Sequence, residues 1–264
     1  MKLPNTENKA KQIYFLCAMP RSGNTLFASL MNQNPDIAVT ANSITLEIMK
    51  DLFLLKKTDV FQNFPDEQSL DNIMDEVYNL YYKNWNYKVI IDRGPVCTPG
   101  NLKVMQKHFK QPLRCVVLVR DVLDVLASYI KWFETEPTAF PNKYATLDEK
   151  LSYIMHKNGA VAKELMSIQY LLQHPEMAVF IKYDDLVENP EKELRKVYTF
   201  LNLPYFPHTF IDLDQITVNG LQYNDSIVGK NMHTIRTEKV MKVENQYKNM
   251  IPERFIKEYE HIRF

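Results

Sequence analysis

The sequence predicts an α/β fold: a three-layer sandwich with a central, mainly parallel β-sheet flanked by helices. Two observations predict it, namely five short strand-like runs, all but the second strongly apolar, and long amphipathic stretches between them. Near-continuous apolar strands that alternate with helices are typical of parallel sheets covered on both faces. The 264 residues suffice for one large domain. We expect a single domain over residues 1–264, in which residues 1–11 form a flexible N-terminal segment.

The predicted elements follow from hydrophobic periodicity and from turn residues. The predicted strands are Ile13–Met19, Asp36–Thr40, Lys88–Asp92, Leu113–Arg120 and Ala178–Tyr183. A helix follows the first strand, with Leu26, Phe27, Leu30 and Met31 at helical spacing. Further helices are predicted over Ser43–Phe61, Ser69–Trp85, Gly100–Phe109, Val122–Phe133, Leu147–Gln173 and Glu191–Leu201. We expect Glu134–Tyr144 to form an irregular loop, because it holds two prolines and bulky aromatic residues, and Pro204–Lys239 to be irregular, because it shows little clear periodicity.

Composition excludes several classes of function. Thirty-two basic residues balance thirty-two acidic ones, which gives no support for binding to nucleic acid or to a membrane surface. The three cysteines are an odd number without C-x-x-C spacing, which argues against a disulfide framework and against a zinc site. The polar N-terminus lacks an apolar signal core, and no run approaches the ~20 apolar residues of a membrane span. We therefore expect a soluble cytoplasmic protein with no bound metal.

The loop Pro20–Thr25 is the first candidate site, because it joins a buried strand to a helix. It offers the guanidinium of Arg21, the hydroxyls of Ser22 and Thr25, and backbone N–H groups around Gly23. A helix N-terminus presents free N–H groups and a positive dipole end, so this loop is suited to binding phosphate. It is not a Walker A loop, since the first Gly and the Lys-Ser/Thr ending are both absent. The alternative is an ordinary strand-to-helix turn.

Two further strand ends carry polar side chains that could serve a ligand. Arg120 ends the fourth strand, and Ser128 follows eight positions later in a predicted helix. Ligands of parallel α/β sheets bind at the carboxyl ends of the strands, where an Arg can grip a phosphate through two hydrogen bonds. Tyr183 ends the fifth strand and is expected at the same edge. A surface Arg–Asp pair and a Tyr at the core margin are the structural alternatives.

Taken together, these segments resemble the sulfotransferases. M-P-R-S-G-N-T resembles the family's 5′-phosphosulfate loop, and Arg120 and Ser128 match the spacing of its 3′-phosphate motif. The segment KYDDLVENPEKELRKVYTFLNLP resembles the family's segment after the next strand. The resemblance implies a P-loop NTPase-like fold and 3′-phosphoadenosine 5′-phosphosulfate (PAPS) as cofactor, with adenosine 3′,5′-bisphosphate (PAP) as product. It implies 5′-phosphosulfate binding by Arg21, Ser22, Gly23, Asn24, Thr25 and Leu26, 3′-phosphate binding by Arg120 and Ser128, and adenine contact by Tyr183.

The resemblance does not point directly to a catalytic base, because the family's usual residues are missing. Relatives often place a Glu shortly after the first helix, where this chain has Asn42, and Glu47 is the next acidic residue. No His stands in the family's catalytic His position. Asp92 and Arg93 end the third strand, so we rank Asp92 first and Glu47 second as the base, with Arg93 and Arg21 neutralising the sulfuryl group in an in-line transfer.

The late segment Asp225–Lys239 and the acceptor remain open. Relatives bring a basic loop over the nucleotide, and Lys230 and Arg236, with His233 and Lys239, could supply it here, although a solvated loop is the alternative. The acceptor is a small molecule, a sugar or a peptide, modified at a hydroxyl or an amine. The rival functions are an ATP-dependent phosphotransferase of the P-loop class and a nucleotide-binding protein without catalysis. Oligomeric state is not readable from the sequence.

Overall fold

The sheet has five parallel strands, as predicted. The computed structural model describes residues 11–40, 42–214, 217–227, 233, 240 and 246–264. Within these ranges the strands are β1 (Gln12–Ala18), β2 (Ile37–Val39), β3 (Val89–Arg93), β4 (Cys115–Val119) and β5 (Ala178–Lys182). They are hydrogen-bonded in the order β2-β3-β1-β4-β5, and every neighbouring pair is parallel. The predicted strands agree with these to within two residues at either end.

Helices flank the sheet, which confirms the predicted α/β class. They are α1 (Asn24–Met31), α2 (Thr45–Leu55), α3 (Asp59–Asn63), α4 (Glu67–Tyr81), α5 (Pro99–His108), α6 (Val122–Thr135), α7 (Leu147–Met155), α8 (Ala160–Leu172), α9 (Tyr183–Glu188), α10 (Pro190–Phe200) and α11 (Glu253–Tyr259). None of the helices in the described ranges has the length and apolar character needed to cross a membrane.

Two of the predicted helices are each interrupted. The segment Ser43–Phe61 becomes α2 and α3, because the Thr58 side chain accepts a hydrogen bond from the Phe61 N–H and so caps a new helix. The segment Leu147–Gln173 becomes α7 and α8, with Gly159 at the N-cap of α8. A Cβ on Gly159 would lie 2.3 Å from the carbonyl oxygen of Ile154, so the sharp turn between the two helices requires a glycine.

The strand register decides which side chains stand level with the loop after β1. Leu118 of β4 pairs with Ala18, so Arg120 lies two residues beyond the end of β1, at the height of the loop. Arg93 pairs with Leu16 and therefore lies two residues lower than Ala18. The two arginine backbones are therefore offset by four residues along the strands, which is about 13 Å at 3.3 Å per residue. Arg120 thus begins beside the loop, and Arg93 begins beneath it.

Candidate active site

The loop between β1 and α1 has the backbone of an anion cradle. Arg21 and Gly23 both have positive φ angles, of 69° and 89°. The first helical hydrogen bond of α1 runs from the Phe27 N–H to the Gly23 carbonyl at 2.9 Å. The three N–H groups before Phe27 therefore point out of the helix N-terminus. The first turn of α1 contains no acidic residue, so no carboxylate in that turn offsets the positive end of the helix dipole.

Arg21 joins this loop to the end of β4 and to α6. Its Nε donates a hydrogen bond to Ser128 Oγ at 3.0 Å, and its carbonyl accepts one from Arg120 Nη1 at 2.8 Å. Burial lowers the pKa of the Arg21 guanidinium, and the nearby positive charge of Arg120 lowers it further, while Tyr129 and Tyr183 oppose the shift. The predicted phosphate loop, Pro20–Thr25, and the predicted 3′-phosphate residues, Arg120 and Ser128, are therefore neighbours in space.

Tyr183 closes the same cluster from the end of β5. Its ring lies under the guanidinium of Arg120, whose Cζ is 4.3 Å from the ring centre. A Cβ on Gly23 would stand 2.7 Å from Tyr183 Cδ2, so the ring packs directly against the glycine backbone. The structure thus brings Arg21, Gly23, Arg120, Ser128 and Tyr183 together, and adenine contact by Tyr183 stays a prediction.

One buried polar group of the loop suits an anionic ligand. The Ser22 hydroxyl, which can donate to an anion, has no hydrogen-bond partner within the described part of the chain. Asn24 Oδ1 also has none there, but an amide oxygen only accepts hydrogen bonds and so does not bind an anion. Buried hydroxyl and amide groups are rarely left unsatisfied in proteins, so such groups at a binding loop indicate a ligand. Ser22, the N–H groups of α1 and the two arginines form a donor set that suits phosphate or phosphosulfate. Thr25 and Leu26 are partly exposed at the start of α1.

A small cavity adjoins Arg120 and Tyr183 between the ends of β4 and β5. Its volume is about 190 Å³, and its walls also include Lys182, Asp184 and the segment 262–264. The described residues contain no group of three or more side chains arranged to hold a metal ion.

Asp92 does not fit the role of base that the sequence suggested. It is 2% exposed, and its carboxylate accepts hydrogen bonds from Thr40 Oγ1 at 2.9 Å, from the Tyr82 hydroxyl at 2.7 Å and from Thr45 Oγ1. Burial raises the pKa of Asp92, and these hydroxyl donors oppose the shift. A carboxylate enclosed in this way is out of reach of an acceptor. Its contacts instead tie β3 to the end of β2, to α2 and to α4.

Glu47 is the acidic residue that the structure leaves accessible. It is exposed in the first turn of α2, a helix that begins after the carboxyl end of β2. Because β2, β3 and β1 are parallel, the carboxyl end of β2 lies at the same edge of the sheet as the loop, and α2 begins there. Exposure thus favours Glu47 over Asp92, which is enclosed, and the assignment of the base stays a prediction.

Arg93 lies at the foot of the loop, beside an acidic residue that the sequence reading missed. Its Nη2 donates to the Ala18 carbonyl at 3.3 Å and lies 3.8 Å from Glu164 Oε1. The signal for Glu164 was present in the sequence, because it interrupts the apolar face of α8 formed by Val161, Leu165 and Ile168. A buried acid on an apolar helix face needs a partner, and Arg93 is one.

The late basic residues are only partly covered by the structure. Lys230, Arg236 and Lys239 lie outside the described residues, so their roles stay predictions. His233 Nδ1 is 2.5 Å from Asp225 Oδ1, and its ring stacks on Tyr223 with 4.5 Å between the ring centres.

Comparison with known proteins identifies the family. A model of the sulfotransferase family matches residues 14–207. The chain belongs to the sulfotransferase family. It is an enzyme of the transferase class, and this membership favours sulfuryl transfer over the phosphotransferase alternative.

Individual relatives are distant in sequence. The "Putative protein-tyrosine sulfotransferase" of Caenorhabditis briggsae is 22% identical over 237 residues, which are 85% of this chain and 79% of that protein. The sulfotransferase domain from the Synechococcus PCC 7002 olefin synthase is 14% identical, with a TM-score of 0.50 over 100% of this chain and 99% of that chain. A mouse sulfotransferase complexed with PAP is 16% identical, with a TM-score of 0.47 over 74% of this chain and 61% of that chain. The structural likeness to the Synechococcus domain shows the fold.

Replacing Gly23 with Ala tests the packing of the loop against Tyr183. We expect Gly23→Ala to lower the melting temperature more than Gly220→Ala does. Both glycines have positive φ, so each variant carries a backbone cost of about 1–2 kcal/mol. The Cβ on Gly23 meets the Tyr183 ring, whereas no atom of the described residues lies within 4 Å of a Cβ on Gly220. Thermal unfolding of the two variants measures the difference, and equal losses would contradict the close packing.

Proposed function

We propose that the protein transfers the sulfuryl group of PAPS to a hydroxyl or an amine of an acceptor. The observation that carries this proposal is the cluster in which Arg21 contacts both Arg120 and Ser128 while Tyr183 packs on Gly23 and Arg120. The cluster places two cations and a helix N-terminus at one edge of the sheet in a chain of zero net charge. Such a local concentration of donors suits a ligand with two separate anionic groups.

Each part of the cluster has a role in this proposal. The N–H groups of Asn24, Thr25 and Leu26, with the Ser22 hydroxyl, would hold the 5′-phosphosulfate. Arg120 and Ser128 would hold the 3′-phosphate, and the ring of Tyr183 would bound the adenine side. Bound PAPS supplies an activated sulfuryl group attached to a phosphate leaving group. Because the donors are fixed by the fold before the ligand arrives, they stabilise developing negative charge without a reorganisation cost.

Glu47 would act as the base that takes the proton of the acceptor hydroxyl. It is exposed in the first turn of α2, a helix that begins at the carboxyl end of β2. Arg93 would add positive charge beneath the loop, where its guanidinium contacts the Ala18 carbonyl. The name of the Caenorhabditis briggsae relative suggests a tyrosine side chain as one acceptor to test, alongside sugars and small alcohols.

Nucleotide selectivity tests the proposed donor. We expect PAP to raise the melting temperature of the protein and ATP to raise it far less. PAP carries the 3′-phosphate that Arg120 and Ser128 would bind, and ATP does not. Thermal unfolding with each nucleotide, without and with Mg²⁺, measures the effect. Equal shifts with ATP, or no shift with either nucleotide, would contradict the proposal.

The contribution of Arg120 to binding can be separated from its contribution to folding. We expect Arg120→Ala to weaken PAP binding about tenfold or more, since hydrogen bonds to charged groups are worth about 1.5–3 kcal/mol. Arg114→Ala is the matched control: Arg114 precedes the same strand, donates to the Phe200 carbonyl at 3.0 Å and lies 5.7 Å from the centre of the Phe200 ring. Calorimetric titration of both variants with PAP should show the loss in Arg120→Ala alone. A similar loss of PAP affinity in both variants would mean that Arg120 contributes to the stability of the fold and not specifically to PAP binding.

The role of Glu47 is tested by turnover. We expect Glu47→Gln to slow sulfuryl transfer about a hundredfold or more, within the usual range for loss of a general base, and to leave PAP affinity unchanged. Glu253→Gln is the control, because Glu253 also lies exposed in the first turn of a helix, α11. Transfer from labelled PAPS to a panel that includes a tyrosine peptide, sugars and alcohols is followed by mass spectrometry. Unchanged turnover in Glu47→Gln would remove Glu47 from the mechanism.

A further inference from the structure

Glu164 is a buried acid with no part in the function proposed so far. It is 5% exposed on α8. Its Oε1 lies 3.8 Å from Arg93 Nη2, beyond hydrogen-bond distance, and its Oε2 is buried with no hydrogen-bond partner in the described part of the chain. Burying a carboxyl group costs free energy unless its oxygens are satisfied. The burial of Glu164 at the foot of the phosphate loop therefore costs folding free energy.

The groups around Glu164 belong to the site. Arg93 faces it from β3 and also donates to the Ala18 carbonyl at the end of β1, two residues before Pro20. Tyr129 of α6 lies within electrostatic range of Glu164, Arg93 and Arg21 alike. Among the described residues, Cys17 of β1 and Glu47 of α2 also lie within electrostatic range of the carboxyl. Four elements thus converge on Glu164, and the cations among these groups are the arginines of the site.

The environment leaves the ionisation of Glu164 finely balanced. Burial raises the pKa of Glu164 to about 8, and the charge of Glu47 adds to the shift, while Arg93 and the Ala18 backbone oppose it. The carboxyl is therefore neutral at low pH and becomes charged in the weakly alkaline range. The charged form cancels part of the field of Arg93, and the neutral form does not.

We propose that Glu164 is a positioning residue that holds Arg93 beneath the phosphate loop and competes with the bound anion for the charge of that arginine. The inference rests on the proposed function, because it takes the anion to be the nucleotide held by the loop. One guanidinium then lies between two acidic groups. When Glu164 is protonated, the positive charge of Arg93 acts on the ligand, and when Glu164 is ionised, the two charges offset each other.

The sign of the resulting pH dependence is fixed. Ligand binding favours the protonated form of Glu164, so binding takes up a proton and affinity falls as pH rises through the pKa of this group. We expect the affinity of the native protein for PAP to fall about fivefold or more between about pH 7 and about pH 9. Glu164→Gln, which keeps the shape of the neutral side chain, should bind PAP with nearly constant affinity over this range.

Glu193→Gln is the matched control for these titrations. Glu193 is 1% exposed on α10, pairs with Lys196 at 2.5 Å and also leaves its Oε2 without a hydrogen bond in the described residues. Because its ion pair is with Lys196 of the same helix and not with an arginine of the site, Glu193→Gln should keep the pH dependence of the native protein. A fall in affinity that is the same in Glu164→Gln as in the native protein would overturn the inference.

A second measurement needs no variant of Glu164. Calorimetric titration of the native protein with PAP at about pH 8, in two buffers with different ionisation enthalpies, counts the protons taken up on binding. Net uptake greater than that of Arg93→Gln, which removes the shared charge, supports the inference, and equal uptake overturns it. Failure of the native protein to bind PAP at any pH would instead overturn the proposed function, so the two failures are distinguishable.

Discussion

The interaction on which the rest of the site depends is the contact of Arg120 with Arg21. The Arg120 guanidinium donates to the Arg21 carbonyl, and the Arg21 guanidinium donates to Ser128, so two cations lie side by side in a neutral chain. Like charges repel at this range, and burial adds to the cost. Gly23, which has no Cβ, leaves room for the Tyr183 ring, and that ring lies against Arg120. An anion would relieve the repulsion between the two guanidinium groups, which supports our proposal that the cluster binds the nucleotide.

Asp92 organises the other side of the same sheet edge. Its carboxylate accepts hydroxyl hydrogen bonds from Thr40, Thr45 and Tyr82, and the Thr40 hydroxyl oxygen accepts a further bond from the Arg93 N–H at 2.9 Å. These bonds set where α2 begins and therefore where Glu47 is presented. The two acidic residues at this edge of the sheet, Asp92 and Glu47, therefore differ in what they can do. An enclosed acid fixes the geometry, and an exposed acid is available for proton transfer.

The two buried acids below the loop differ in how well their oxygens are satisfied. Three hydroxyl donors surround Asp92, which stabilises its charged form in spite of burial. Glu164 has one arginine at 3.8 Å and an oxygen without a partner. A satisfied buried acid is typical of a structural role, whereas an unsatisfied one next to a shared cation is able to respond to a ligand. The buried acid of β3, Asp92, therefore stabilises the fold. In our proposal the buried acid of α8, Glu164, instead couples ligand binding to its own protonation.

The sequence by itself determined the parallel sheet, the phosphate loop and the residues that meet around it. Apolar strands and a Pro-Arg-Ser-Gly-Asn-Thr turn are local patterns, and parallel strands bring their carboxyl ends to one edge wherever they fall in the chain. The sequence did not show the helix break at Gly159, which depends on a close approach of the backbone. It also did not show the enclosure of Asp92, which depends on side chains that are remote in the chain. It ranked Asp92 above Glu47 without the exposure of either carboxyl group, and it did not single out Glu164. Exposure, satisfied hydrogen bonds and the field of nearby charges decide the chemistry of a carboxyl group, and only the tertiary structure sets all three.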